Sequence, residues 1–136
     1  MRKKVRLIFL CGIMLLSVCG CGNNFESEIV GNNFVRKIEG NDTAYGKIIT
    51  SHTLIFEEDN KGISKVDIDF TDDFKEYAEE HISYDTRHST TDFTYNIDIE
   101  NNYVNFSLDD DTYKLKYDKE SKCLIDEENE KIKYCK

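Results

Sequence analysis

The stretch YNIDIENNYVNFSLDDDTYKLKY, residues 95–117, decides the fold, because apolar and polar residues alternate along it through three consecutive segments. Alternation with a period of two is typical of strands that bury one face and leave the other in water. Turns at residues 101–102 and 110–111 would divide the stretch into three antiparallel strands. The apolar partners predicted by this arrangement are Ile99 with Val104, Ile97 with Phe106, Tyr95 with Leu108, Leu108 with Tyr113, Phe106 with Leu115 and Val104 with Tyr117.

The opposite face of this meander is predicted to face water. The side chains expected there are Thr94, Asn96, Asp98, Asn105, Ser107, Lys114 and Lys116. A sheet with one apolar and one polar face is the usual form of an antiparallel meander.

An earlier hairpin is predicted around the turn signal DNKG, residues 59–62. Gly62 is expected to supply the left-handed conformation of a three-residue hairpin loop. With Asp59 opposite Ile63, the predicted partners are Phe56 with Val66, Leu54 with Ile68 and His52 with Phe70. A slip of one residue would scatter these side chains over both faces, so the pattern favours this hairpin. A short first strand is expected over residues 34–38, followed by a turn at residues 40–42.

The segment after this hairpin is predicted to form one short helix. Thr71 is the expected N-cap, and the carboxylates that follow it suit the first turn, where the helix dipole favours negative charge. The apolar stripe expected on the helix consists of Phe74, Tyr77, Ala78, His81 and Ile82. A stripe with this spacing packs against a sheet. The whole pattern predicts a mainly β fold with one short helix, as an antiparallel β-meander or a small barrel-like sheet.

The first 22 residues have the organisation of an export signal. Basic residues near the start precede an apolar run over residues 7–18, which is too short to cross a bilayer as an uncleaved anchor helix. The run ends in Val18-Cys19-Gly20-Cys21, which resembles the lipobox of bacterial lipoproteins: an aliphatic residue, a variable one, Gly or Ala, then Cys. In that family the Cys thiol receives a diacylglyceryl group, and a peptidase cuts just before it. The resemblance implies lipidation at Cys21 and loss of Cys19 with the signal.

This resemblance implies a division of the chain into three parts. Residues 1–20 would be the lipoprotein signal peptide, residues 21–33 a lipidated tether, and residues 34–136 a single β-rich extracytoplasmic domain. Because two acyl chains anchor a protein stably, the protein is expected at the cell membrane, held by its lipid on the extracytoplasmic face.

Two cysteines remain once the signal and the lipidation site are set aside, Cys123 and Cys135. In an exported chain an even pair of cysteines favours a disulfide. A final hairpin that turns near residues 128–129 would place them directly opposite one another and would pair Leu124 with Tyr134. An alternative register puts Cys123 opposite Tyr134 and leaves no bond. We predict the disulfide.

Charge excludes one class of partner. The chain has 27 acidic and 18 basic residues, a net charge of −9. Four of the basic residues lie in the predicted signal, which leaves 14 basic against 27 acidic residues and a net charge of −13 in the mature chain. Phosphates repel such a chain, so nucleic acid is not an expected partner, and anionic headgroups repel it too. A basic protein partner fits this charge, and so does the simpler interpretation of a solvated acidic surface; the oligomeric state stays open.

The histidines do not predict a reaction or a metal site. His52 and His81 fall on apolar faces, and we expect half-buried core histidines there rather than ligands. His81, Asp85 and His88 could bind a metal only if the residues between them were helical, and residues 83–86 do not have a helical pattern.

The acidic turns give no better candidate. Residues 109–111 resemble the start of a calcium loop, but lysines stand where further oxygen ligands are needed, and residues 57–62 depart from the pattern in the same way. The sequence has no nucleophile elbow and no glycine-rich phosphate loop. We therefore predict no catalytic residue, no cofactor and no metal, and we do not favour an enzyme.

The strand pattern over residues 44–135, with its single helix, resembles the lipocalin-like and similar small β-barrel domains of bacterial lipoproteins. Such a resemblance implies a fold and cannot carry a function. The first hypothesis is a lipid-anchored, non-enzymatic envelope protein that binds a small apolar ligand or peptide; a cavity lined by Tyr and Phe would favour it. The second is a protein-interaction module of the inhibitor or immunity type, favoured by an acidic surface without a pocket. The third is a small hydrolase, favoured by His and carboxylates that converge in a cleft.

Overall fold

A computed structural model of the protein describes residues 24–42 and 44–136. The predicted signal peptide, residues 1–20, and the predicted lipidation site, Cys21, lie outside the described residues. The elements, in chain order, are α1 (Asn24–Ile29), β1 (Asn33–Asp42), β2 (Gly46–Phe56), β3 (Lys61–Phe70), α2 (Asp72–His81), α3 (Tyr84–Arg87), β4 (His88–Asp98), β5 (Tyr103–Leu108), β6 (Asp111–Asp118), β7 (Cys123–Asp126) and β8 (Lys133–Cys135). In the part of the chain that the structure describes, no helix combines the length and the apolar character needed to span a bilayer.

The eight strands form one closed barrel, in which each strand pairs with its neighbours in the sequence. The pairings are antiparallel, and the barrel closes where β8 meets β1, at the pair Val35 and Cys135. Closure removes the unpaired strand edges that an open meander would expose. The predicted mainly β, barrel-like fold is confirmed. The sequence pattern allowed an open meander or a barrel, and the structure is a barrel.

In the β2–β3 hairpin and in the meander, the predicted faces of the strands are correct, but the predicted partners across the strands are wrong. The observed partners are Tyr95 with Phe106, Ile97 with Val104, Phe106 with Tyr113, Val104 with Leu115, Phe56 with Gly62, Leu54 with Ser64 and His52 with Val66. Each register differs from the prediction by an even number of residues. An even shift keeps every side chain on its own face, so the alternating pattern cannot detect it.

Gly62 has a different role from the one predicted. The left-handed residues of this turn are Asp59 and Asn60, with φ of 61° and 59°. Gly62 instead lies in β3 beneath the ring of Phe93, where an added Cβ would be 2.3 Å from a ring carbon. The glycine therefore permits close packing inside the barrel, and Asp and Asn supply the turn because they tolerate the left-handed region.

The two turns of the meander also come earlier than predicted. Asp98 accepts hydrogen bonds from the backbone N of Asn101 at 3.2 Å and from its Nδ2 at 2.9 Å, so the turn begins directly after Asp98. Ile99 consequently lies in the turn and is 47% exposed. The next turn is centred on Asp109 and Asp110, which both have positive φ, 49° and 68°.

The start of the folded unit differs from the predicted tether. Residues 24–29 of that segment form α1, in which Phe25 and Ile29 are 5% and 0% exposed. The ring of Phe25 packs on Tyr117 with a centroid distance of 5.6 Å. Because these apolar side chains close one end of the barrel, the packed structure already includes Asn24, ahead of the predicted boundary at residue 34.

The helical content is higher than predicted. The predicted helix is present as α2, and its Ala78 is fully buried, but Tyr77 and His81 of the expected stripe are exposed. A further short helix, α3, forms where we expected none, because Ser83 Oγ accepts a hydrogen bond from the backbone N of Thr86 at 3.3 Å and caps it. The described residues thus contain three short helices rather than one.

The last hairpin has the predicted register. Cys123 and Cys135 lie directly opposite each other, with Cα atoms 4.1 Å apart, and form a disulfide. Leu124 pairs with Tyr134, and both side chains are buried. The prediction of this disulfide is confirmed, and the alternative register is wrong.

Candidate functional site

Aromatic side chains fill the barrel interior. Phe56 is fully buried, and its ring meets those of Phe34, Phe93 and Tyr95 edge-on, with centroid distances of 5.8, 5.6 and 5.0 Å. The buried cluster consists of Phe25, Ile29, Phe34, Leu54, Phe56, Phe93, Tyr95, Val104, Phe106, Leu115, Tyr117, Leu124 and Tyr134. An eight-stranded barrel has room for its own side chains or for one small ligand. In this barrel the rings occupy that room.

A chain of polar side chains crosses from β1 to β3 beside this core. His52 Nε2 is 2.7 Å from Ser64 Oγ, and His52 Nδ1 is 2.8 Å from the hydroxyl of Tyr134. Ser64 is 3% exposed and Tyr134 6% exposed. Arg36 lies opposite His52 on β1, and its positive charge acts on both His52 and Tyr134. The chain therefore links strands on both sides of the barrel closure.

Burial decides the protonation states of His52 and Tyr134. It lowers the pKa of His52 below the ordinary histidine value, and the positive charge of Arg36 lowers that pKa further. Burial likewise raises the pKa of Tyr134. His52 and Tyr134 are thus held neutral near pH 7. The expectation of a half-buried histidine is confirmed for His52, but sequence alone did not identify its partners, because they are 12 and 82 residues away.

The contact between Ser64 and His52 has the distance of a nucleophile and its base. Because Ser64 is only 3% exposed, a substrate has no access to its hydroxyl, and we interpret this contact as structural.

The residues considered for a metal lie apart. His81 Nδ1 donates to the Tyr77 carbonyl at 2.9 Å, whereas His88 Nδ1 contacts an Asp67 carboxylate oxygen at 2.6 Å. Asp85 is exposed on α3. Within residues 24–42 and 44–136, no three His, Cys, Asp or Glu side chains are grouped as a metal site requires. The acidic stretches that resemble calcium loops contain hairpin turns, between β2 and β3 and between β5 and β6.

Open clefts on the outer wall have mixed charge. A cleft of about 540 Å³ beside the β2–β3 turn includes Glu57, Lys61 and Asp92 in its lining. Another, of about 500 Å³ beside β6 and β7, includes Lys116 and Glu130. Neither lining, as far as the described residues form it, contains a histidine. The convergent His and carboxylates that a hydrolase would need are therefore not present in these two clefts.

Polar contacts reinforce the near end of the barrel, by which we mean the end where α1 and the C-terminus meet. A carboxylate oxygen of Glu28 on α1 accepts hydrogen bonds from Lys136 Nζ at 2.8 Å and from the Tyr117 hydroxyl at 2.9 Å. The hydrogen bond from Lys136 is the main cause that lowers the pKa of Glu28. Burial, together with the hydrogen bond to Glu28, raises the pKa of Tyr117 to about 12. Glu28 thus stays ionised and Tyr117 stays neutral, and their hydrogen bond fastens α1 to the barrel.

The far end, where α2 and α3 connect β3 to β4, carries a line of rings that we call the aromatic row: Tyr45, Phe70, Phe74, Tyr77 and His81. Ring centroids are 4.7 Å apart for Tyr45 and Phe74, 4.8 Å for Phe74 and Tyr77, and 4.0 Å for Tyr77 and His81. Phe70 lies 5.6 Å from Phe74. Tyr45 is 41% exposed and Tyr77 49% exposed. The row is therefore an apolar surface in contact with water.

Tyr45 joins the aromatic row through the β1–β2 turn, which falls later than the predicted residues 40–42. The carboxylate of Asp42 accepts hydrogen bonds from the backbone N of Ala44 at 2.7 Å and of Tyr45 at 3.2 Å. The backbone N of Thr71 donates to the carbonyl of Lys47 at 3.1 Å, which ties the start of α2 to the same turn. Sequence reasoning interpreted the helical rings as a core stripe and missed Tyr45, since the turn joins them only in three dimensions.

Carboxylates surround the exposed part of the aromatic row. Asp73, Glu76 and Glu80 are exposed on α2, and among the described residues none of them forms an ion pair. Tyr77 lies about one helical turn from both Asp73 and Glu80, so the three side chains are neighbours on the helix surface. The far end therefore combines exposed rings with unpaired negative charge.

No known family model matches the chain, and no curated protein or solved structure is significantly similar to it.

Proposed function

We propose that this protein is a lipid-anchored, extracytoplasmic envelope protein that acts by binding another protein and catalyses no reaction. The observation that carries the proposal is the filled barrel: Phe56 and the rings around it take the interior space that a bound apolar ligand would need. The exposed apolar surface lies outside, at the far end, where the barrel is also strongly acidic. These features favour the interaction module over the apolar-ligand carrier.

The proposed anchor has a geometric consequence. Cys21 precedes the start of α1 at Asn24 by three residues, and three extended residues span only about 10 Å. A lipid on Cys21 would thus keep the near end close to the bilayer and direct the far end away from it. A partner in the extracytoplasmic space would then meet the far end first.

Metabolic labelling with a fatty-acid probe tests the anchor. The wild type should carry the label and fractionate with membranes, whereas Cys21→Ala should lose both properties. Cys19→Ala is the matched control, since it changes a cysteine two positions away, and it should behave as the wild type does. A Cys21→Ala variant that keeps its label would contradict the anchor.

An apolar fluorescent probe tests the choice of interaction module over ligand carrier. Because rings fill the interior, titration of the purified protein should give no saturable binding. Saturable, stoichiometric binding that is lost when Phe56 is substituted would instead support a ligand inside the barrel.

A further inference from the structure

We propose that the aromatic row, together with Asp73, Glu76 and Glu80, is the docking surface for an arginine- and lysine-rich segment of a partner protein. This inference rests on the proposed function, because it requires a protein partner. It goes beyond the proposed function by assigning the binding surface and the chemistry of the segment that binds there.

The rings supply the apolar part of the surface. Tyr77 stacks face to face on His81, with 4.0 Å between the ring centroids and an angle of 11° between the ring planes, so the two rings form one compact aromatic unit that is exposed on α2. Tyr45 meets Phe74 at 4.7 Å and continues the surface onto the β1–β2 turn. Guanidinium and ammonium groups bind to the faces of exposed aromatic rings through cation–π contacts.

The carboxylates supply the charge complementarity. Asp73 and Glu80 flank Tyr77 on the helix, so a guanidinium bound against the Tyr77–His81 stack would lie within reach of a carboxylate. Among the described residues, no basic side chain forms an ion pair with Asp73, Glu76 or Glu80. Lys75 projects about 200° around the helix from Tyr77, and Arg87 donates through Nε to the carbonyl of Ile82 at 3.2 Å.

Other occupants fit this surface less well. A second copy of the chain would bring the same carboxylates against one another, which like charge disfavours. An anionic bilayer would be repelled in the same way. An extended, basic peptide matches both features of the surface, because its positive side chains can contact the rings and the carboxylates.

Fluorescence anisotropy with a fluorescein-labelled peptide of alternating Arg and Gly tests the proposal, using the full-length protein purified in detergent. We expect saturable binding to the wild type and none of a matched Glu–Gly peptide. Tyr77→Ala should weaken binding of the Arg–Gly peptide at least tenfold, while Tyr77→Phe should stay within about twofold because it keeps the ring. Glu80→Gln should weaken binding several-fold. Circular dichroism checks that each variant is folded.

Tyr113→Ala is the matched control, because Tyr113 is also an exposed tyrosine, 39% accessible, close to the acidic turn at residues 109–111. It should bind as the wild type does. If the wild type does not bind the peptide, or if Tyr77→Ala and Tyr113→Ala bind equally well, the proposal is wrong. A dimer that Tyr77→Ala disrupts, or binding to anionic vesicles through Tyr77, would also overturn it in favour of those occupants.

Photocrosslinking in cells separates failure of this inference from failure of the proposed function. A photoreactive amino acid is placed at Tyr77 and, in separate variants, at Tyr103 and Ser107 on the outer wall. Protein adducts at the wall positions but not at Tyr77 would overturn the docking surface and leave a protein-binding function in place. Absence of adducts at every position would count against the proposed function itself.

Discussion

Short helices cover both ends of the barrel, but they differ in how much of their apolar surface they bury. At the near end, α1 inserts Phe25 and Ile29 into the core. At the far end, α2 buries Ala78 and leaves Tyr77 49% exposed. The near end is also tied by the hydrogen bonds of Glu28, whereas Asp73, Glu76 and Glu80 of α2 have no ion-pair partner among the described residues.

The difference separates a helix that stabilises the fold from the exposed aromatic surface where we propose that recognition takes place. Each Å² of apolar surface removed from water contributes about 25 cal/mol, so α1 stabilises the fold by burying the side chains of Phe25 and Ile29. The exposed rings of the aromatic row do not make that contribution in the free protein. They can make it only when another molecule covers them, which is why we assign binding to the far end.

The largest expected effect is in the core that both ends cover. Phe106 is 4% exposed and packs on Phe93 and Tyr113 with centroid distances of 5.3 and 5.0 Å. Phe106→Ala should cost about 3–5 kcal/mol of unfolding free energy, because a large buried ring is replaced by a cavity. Ser107→Ala, at the next and exposed position, should change it by less than about 0.5 kcal/mol. Denaturant unfolding measures both, and equal effects would contradict the assigned faces.

The comparison of the two ends is tested directly by one substitution in each helix. Ile29→Ala in α1 should cost about 2–5 kcal/mol, since the side chain is fully buried. Tyr77→Ala in α2 should cost less than about 1 kcal/mol, because half of its ring is already in water. Chemical denaturation of the two variants provides the measurement. A larger loss for Tyr77→Ala would reverse the distinction between the ends.

The disulfide should contribute less than the largest core substitution. Cys123 and Cys135 close a loop with a sequence separation of 12. A loop of this length is worth about 3 kcal/mol in the chain-entropy model. Thermal unfolding with and without reductant should therefore show a lower midpoint for the reduced protein. The double variant Cys123→Ala, Cys135→Ala should show no further change on reduction.

The smallest expected effect is the pH dependence of the unfolding free energy that is due to His52, beside the barrel closure. Its pKa in the folded state lies below the ordinary value of 6.5, so the unfolded chain takes up a proton first as pH falls. Stability should consequently fall as pH drops below about 6.5 towards the folded-state pKa, by at most about 1.4 kcal/mol for each pKa unit of lowering. His52→Gln should remove this dependence between about pH 7.5 and 5.5, measured by denaturant unfolding. An unchanged slope would mean that another group titrates there.

Local pattern was sufficient for part of the structure. The alternation in residues 95–117 predicted which face of each strand is directed inwards, because side-chain direction in a strand depends only on the parity of its position. The disulfide between Cys123 and Cys135 was also predicted from local pattern. Two cysteines in one hairpin can bond only in a register that places them opposite each other. The helical spacing of Phe74, Tyr77 and His81 predicted α2 correctly but not its exposure.

What the sequence by itself determined is therefore the set of faces and the class of fold; for the last hairpin it favoured one of two registers, and the structure decided between them. Tertiary structure alone decided the strand partners, because shifts by an even number of residues leave every face unchanged. It also decided the role of Gly62 under Phe93 and the meeting of Tyr45 with the rings of α2. These features depend on atoms that are distant in the chain and close in the barrel, and a local pattern carries no information about such distances.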